Sequence, residues 1–218
     1  MAKPTKSIAQ RLFEAERAIN NSLKTPEILA TVTLFGYPQL RIEEARTLQE
    51  EARALTELQE KEYGEQYEAT QNVQEAWEKA AVAYSAALKI ARVAFRGQKA
   101  AAGSLQLTGT RKQSLSGWLK QARGFYGNLL KDPALVAIMT PYSYDQIKLE
   151  AESALVQAVA DASDTQDTER GQAQAATLTR DAKLDELDQW VADYKAVAEV
   201  AFADSPQMLE QLGWVVKA

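Results

Sequence analysis

Apolar residues recur at spacings of three and four along most of the chain, the period of a helix buried on one face. From the capping residue Ser7, positions Ile8, Leu12, Ala15, Ile19 and Leu23 share such a face. From Ser114 the same holds for Leu115, Leu119, Ala122, Tyr126 and Leu130. Thr25-Pro26 and Asp132-Pro133 then each set a capping side chain before a proline, which ends the old helix and starts a new one. Short apolar segments follow, Ile28, Leu29, Val32 and Leu34 in one place and Leu135, Val136, Met139 and Pro141 in the other. Each runs into an aromatic corner, Phe35-Gly36-Tyr37 or Tyr142-Ser143-Tyr144. A further helix begins near Pro38 or Asp145, with Leu40, Ala45, Leu48, Ala52 and Leu55, or Ile147, Leu149, Leu155, Val159 and Ala162, as its apolar positions. The clearest amphipathic runs come last, through Val73, Ala80, Tyr84, Ala87, Ala91 and Phe95, and through Leu184, Leu187, Val191, Tyr194, Ala198 and Phe202.

These elements come in pairs because the chain repeats itself. Residues 7–105 align without a gap on residues 114–212, and 23 of the 99 positions are identical. Asn21/Asn128, Leu23/Leu130, Lys24/Lys131, Tyr37/Tyr144, Gln39/Gln146, Glu43/Glu150 and Gly64/Gly171 are among them. The predicted fold is therefore all-α: a tandem duplication of a roughly 107-residue three-helix unit, packed as an elongated helical bundle with approximate two-fold symmetry. Residues 1–109 form the first repeat and 110–218 the second, joined into one structural domain because a single repeat has a thin core. Residues 97–109 read as a linker, and Pro206–Leu212 as a short terminal helix whose apolar face needs burial.

Two readings of the middle of each repeat stay open. Gly64 and Gly171 at matching positions, with the weak helix formers Ser163–Thr168, favour a helical hairpin. Against it, the heptad phase from Ala45 through Leu48, Ala52, Leu55, Gln59, Glu62, Gln66, Ala69, Val73 and Ala76 never slips. That phase suits a coiled-coil-like helix running through residues 38–96, about 90 Å at 1.5 Å per residue.

Composition narrows the chemistry. The 218 residues include no cysteine and no histidine, which removes thiolate chemistry, the commonest general base and the commonest transition-metal ligand. An enzyme is not expected, nor a cofactor. A net charge of −5 argues against a nucleic-acid surface. No apolar run follows Lys3 and Lys6, and none approaches the ~20 residues of a membrane helix, so a cytoplasmic protein away from membranes is expected. The acidic positions Glu57, Glu60 and Glu62, matched by Asp164, Asp167 and Glu169, offer oxygen ligands of the kind hard cations take, but a solvated helix face is the preferred reading and no metal is expected.

Three groups remain as candidate sites. The corner residues Phe35, Tyr37, Tyr142 and Tyr144 are candidates for lining a small-molecule pocket, or for a tyrosine whose hydroxyl satisfies a backbone group. Arg111, Lys112, Lys120 and Arg123 cluster near Trp118 and Tyr126, where an anionic partner could bind, although a solvated basic helix face is the preferred reading. Gln59/Gln166, Glu62/Glu169 and Thr70/Thr177 keep their identity between repeats among diverged neighbours; a glycine-centred hairpin tip or close helix crossing with buried amides is the preferred reading, and a shared polar contact with a partner the other.

The run Arg111-Lys112-Gln113-Ser114-Leu115-Ser116-Gly117-Trp118-Leu119, with Asn128-Leu129-Leu130 and Pro206–Gly213, resembles a group of uncharacterised bacterial helical proteins with the same tandem layout. The resemblance covers nearly the whole chain and implies a bacterial origin, without an activity or a site. The expected function is a non-enzymatic structural or protein-interaction bundle, binding a protein partner or itself. The alternative is a carrier whose aromatic corners line a cavity for a small apolar or aromatic ligand.

Overall fold

A computed structural model describes residues 6–214. Eight helices and one 3-10 turn make up its regular structure, and no strand occurs among the described residues. They are α1 (Ile8–Lys24), α2 (Pro26–Leu34), α3 (Gln39–Ala94), α4 (Lys99–Ser104), α5 (Leu115–Leu130), α6 (Pro133–Met139), the 3-10 turn Thr140–Tyr142, α7 (Gln146–Ala201) and α8 (Gln207–Gln211). None of the helices is long and apolar enough to cross a membrane.

Local chemistry sets the helix ends. Ser7 closes a capping box with Gln10, and Ser114 accepts a hydrogen bond from the Gly117 amide. Asp132 caps α6 through the Ala134 amide at 2.9 Å, whereas Thr25, expected to do the same for α2, makes no side-chain cap. Gln39 and Gln146 open the long helices by donating to Glu43 and Glu150 one turn on, at 2.7 and 2.8 Å, which accounts for both matched pairs.

The favoured hairpin does not form. α3 and α7 are uninterrupted helices of 56 residues each, about 84 Å long, and their bounds differ by the 107 residues of the repeat. Gly64 and Gly171 are ordinary interior helix positions, with nothing within 4 Å of where a side chain would begin. A glycine costs a helix about 1 kcal/mol, less than ending it and exposing unpaired backbone groups at a new turn. Every position of the heptad series from Ala45 to Ala76 is buried or half-buried, so the side chains follow the unbroken phase. The linker holds α4, whose Ala101 is buried with Leu105 and Leu107 just after it.

The chain forms two compact units, and they divide it differently from the repeats. Unit one comprises residues 1–63 and 172–218, and unit two residues 64–171. Each therefore combines the first half of one repeat with the second half of the other. In unit one, Leu12, Ala15 and Ile19 of α1 and Ile28 and Val32 of α2 share a core with Leu184, Leu187, Tyr194 and Phe202. In unit two, Trp118, Ala122, Phe125 and Tyr126 of α5 share a core with Ala80, Tyr84, Ala87, Ala91 and Phe95. The terminal helix buries its apolar face as expected, with Leu209 and Leu212 inside unit one.

The matched Asn21 and Asn128 serve this exchange of halves. Asn21 Nδ2 donates to the Gln211 carbonyl at 2.5 Å, and Asn128 Nδ2 to the Ser104 carbonyl at 2.8 Å. The two acceptors occupy equivalent places in the repeat, and each bond ties one repeat to the other inside a single unit.

Candidate functional site

The aromatic corners split into a buried and an exposed half. Tyr37 and Tyr144 turn inward, 2% and 6% exposed. Tyr37 stacks against Tyr194 at 4.9 Å and Trp190 at 6.1 Å, and Arg41 lies over its ring at 4.0 Å. Lys148 covers Tyr144 in the same way at 3.9 Å. Burial raises the pKa of both hydroxyls, and among the described residues neither hydroxyl bonds a backbone group. The expected hydrogen-bonded corner tyrosine is thus replaced by a packed ring under a cation one helical turn away.

Phe35 and Tyr142 face solvent, 44% and 42% exposed. Their apolar neighbours do too: Leu34 and Leu40 in unit one, and Pro141 and Ile147 in unit two. Leu40 and Ile147 were expected on the buried face of the long helices but are 66% and 78% exposed, while Ile42 and Leu149, two residues on, take the core. The cause is phase: the first turn of each long helix presents residues 42 and 149 to the core, and their apolar neighbours at 40 and 147 are left outside. Each unit therefore carries an exposed apolar corner built from equivalent positions.

The polar positions singled out in the sequence do make contacts. Arg180 donates to Gln59 Oε1 at 2.6 Å in unit one, and Gln166 donates to Thr70 Oγ1 at 3.1 Å in unit two. Both bonds join residues of different repeats. Glu57, Glu60, Asp164 and Asp167 are exposed, while Glu62 and Glu169 are half-buried.

Two buried hydrogen-bonded pairs lie inside the units, each containing a tyrosine hydroxyl. In unit one Ser22 Oγ donates to the Ala18 carbonyl at 2.7 Å, which leaves the Tyr194 hydroxyl to donate to Ser22 at 2.5 Å. Burial pushes the Tyr194 hydroxyl up to about 12. In unit two the Tyr126 hydroxyl donates to Glu152 Oε2 at 2.9 Å. Burial raises the Glu152 carboxyl above its ordinary value, against the lowering effects of the Tyr126 bond and the Lys148 charge. Tyr126 is raised as well, by burial first and then by the Glu152 charge.

Part of the basic cluster is brought into a cleft. Between α5 and the second half of α3, a cavity of about 280 Å³ is lined by Trp77, Tyr84 and Trp118 together with Arg111, Lys112 and Gln113. Trp118 packs at 5.9 Å from Trp77 and 6.0 Å from Tyr84. Arg111 donates to the Tyr84 hydroxyl at 3.1 Å and to the carbonyls of Gln106 and Thr108 at 2.8 and 2.9 Å. Tyr84 is raised by burial, opposed by the Arg111 bond and the charges of Arg111 and Arg92. Lys120 and Arg123 do not line this cleft, and Arg123 instead bonds Gln157 at 3.1 Å. Sequence reasoning missed Trp77 and Tyr84 here, although their spacing of seven places them on one face of α3.

The same notch exists in unit one with different lining. A cleft of about 320 Å³ lies among Lys6, Arg11, Glu14, Asp188, Lys195 and Trp214. Arg11, at the position equivalent to Trp118, pairs with Asp188 at 2.8 Å, and Lys6 pairs with Glu14 at 2.5 Å. A third, polar cleft of about 330 Å³ includes Glu16, Asn20, Arg46, Gln49 and Arg53, with Arg53 paired to Glu16 at 2.6 Å. None of the three is lined by a corner residue. Comparison with protein-family models, curated proteins and solved structures finds no match to this chain.

Proposed function

We propose that this protein is a non-enzymatic interaction bundle that docks a protein partner, or a second copy of itself, through its exposed apolar corners. The observation that supports this reading is the pair of corners itself, Leu34, Phe35 and Leu40 in one unit and Pro141, Tyr142 and Ile147 in the other. Exposed apolar groups gathered in one place mark interaction surfaces more often than scattered ones do. Here they recur at equivalent positions although most of the surrounding surface has diverged. The tandem duplication belongs to this proposal, since it supplies each chain with two like surfaces. The absence of histidine and cysteine, and tyrosine hydroxyls shifted upward rather than toward neutrality, support the non-enzymatic part.

Sedimentation velocity over a concentration series, with chemical crosslinking in parallel, tests the reading. Wild type should associate with itself or crosslink to a protein partner, and the combined Leu34→Ser, Leu40→Ser and Ile147→Ser variant should lose that association while keeping its helical content. A wild type that stays monomeric at millimolar concentration, with a crosslinked set unchanged by the three substitutions, would refute it.

A further inference from the structure

We propose that the cleft between α5 and the second half of α3 is a binding site for a small aromatic carboxylate. The inference is independent of the corners. Its first support is the lining: Trp77, Tyr84 and Trp118 supply the aromatic wall, Arg111 and Lys112 supply positive charge, and no acidic residue contributes. In a chain of net charge −5, two cations facing one aromatic cleft without a carboxylate leave a local charge for a ligand to balance.

The comparison between units shows that this charge is not imposed by the backbone. In unit one every cation of the equivalent notch has an acidic partner: Arg11 pairs with Asp188 and Lys6 with Glu14 inside the notch, and Lys195 with Glu199 beside it at 3.9 Å. In unit two the place of Arg11 is taken by Trp118, the place of Asp188 by Ala81 and the place of Glu14 by Gln121. The ion pairs are gone, aromatic surface replaces them, and the cations that remain come from the segment before α5.

That segment is held in position. Arg111 is fixed by carbonyl acceptors and by the Tyr84 hydroxyl, so its charge stays at the cleft without a paired acid. Lys112 is anchored by its amide, which donates to Gln121 Oε1 at 2.9 Å, leaving its ammonium free. Gly117 makes room for the lysine stem: a side chain there would begin 2.8 Å from Lys112 Cβ. A cavity of about 280 Å³ lies at the small end of ligand sites, which suits one ring or a fused pair rather than a larger cofactor. The ring would lie on the half-buried face of Trp77, with its carboxylate toward the Lys112 ammonium.

Indole-3-acetate is the probe, titrated into the full chain and followed by the tryptophan side-chain N–H signals in NMR, with uncharged indole-3-acetamide as control. The acid should shift the Trp77 and Trp118 signals and bind about tenfold more tightly than the amide, the factor expected of one charge-assisted hydrogen bond. Lys112→Gln, at an exposed position, should erase that preference without changing the fold, and Trp77→Ala should weaken both ligands. Equal binding of acid and amide, or no shift of either signal at millimolar acid, would overturn the proposal. So would a peptide with an aromatic C-terminal residue that binds where the free acid does not, because the site would then recognise a protein end.

Discussion

Replacing Tyr126 by Phe removes the hydroxyl that donates to Glu152 and leaves a buried carboxyl without its 2.9 Å bond. Glu152 is only 9% exposed, and burial holds its pKa above the ordinary 4.5. The folded state therefore keeps a proton that the unfolded chain releases as pH rises past 4.5. Stability from this group is fully present on the acid side of that value, and it declines as pH climbs through the raised folded-state value. The Tyr126 bond favours the charged form and limits that decline, so Tyr126→Phe should lose more at alkaline than at acid pH. A hydrogen bond to a neutral partner contributes about 1 kcal/mol and one to an ion about 2 kcal/mol. In a chain of this length 2 kcal/mol corresponds to about 4–8 °C in Tm. Glu152→Gln, which keeps an acceptor and abolishes the titration, should flatten the pH profile and should make a following Tyr126→Phe cost the same at every pH. Thermal denaturation of the four proteins of this double-mutant cycle, on both sides of the transition, is the assay. If Tyr126→Phe costs the same at both ends of the pH range while Glu152 is present, the hydroxyl is not supporting a titrating carboxylate and the reasoning fails.

Two further outcomes are expected. Gly64→Ala and Gly171→Ala should each raise stability by about 1 kcal/mol in urea denaturation, because alanine is the better interior helix residue and the space is open; a loss would restore the hairpin turn. Ser22→Ala should cost about 1–3 kcal/mol, since it strands the buried Tyr194 hydroxyl, whereas Tyr194→Phe leaves Ser22 bonded to the Ala18 carbonyl and should cost less at that hydroxyl.

Much of the fold can be read from the sequence because it is local. The caps at Ser7, Ser114 and Asp132 and the apolar stripes of α1, α5 and the second halves of α3 and α7 all lie within a few turns of chain. The continuity of α3 and α7 pits one glycine against about fifty helix-forming neighbours, and single-residue propensity misjudges such a contest. Exposure at Leu40 and Ile147 depends on which face of a first turn meets α1, α2 or their equivalents, and that information is not carried by spacing. The candidate cleft was half legible: Arg111, Lys112 and Trp118 lie close in sequence, but Trp77 and Tyr84 join them from another helix.

The cores set large side chains from one half of the chain against small ones from the other. In unit one, α1 contributes the smaller Ala18 and Ile19, and α7 contributes the larger Leu187 and Tyr194 to the same core. In unit two the sizes are reversed: α5 contributes Phe125 and Tyr126, and α3 the small Ala80 and Ala87 at the positions equivalent to Leu187 and Tyr194. At these positions large side chains meet small ones within each unit, because each core draws on both repeats. A chain built from two copies of the first repeat would set Ala18 and Ile19 against Ala80 and Ala87 twice over. Relative to unit one this truncates two buried side chains, at about 2–5 kcal/mol each, in a molecule whose whole stability should be about 5–15 kcal/mol. A chain built from two copies of the second repeat would force Phe125 and Tyr126 against Leu187 and Tyr194 and overfill both cores. Both chimeras should keep their far-UV helical signal, melt less cooperatively than the parent and bind a hydrophobic dye, with the first-repeat chimera melting lowest. Chimeras that melt as sharply as the parent, at the same temperature, would show that each repeat fills its own core and that the exchange of halves is wrong.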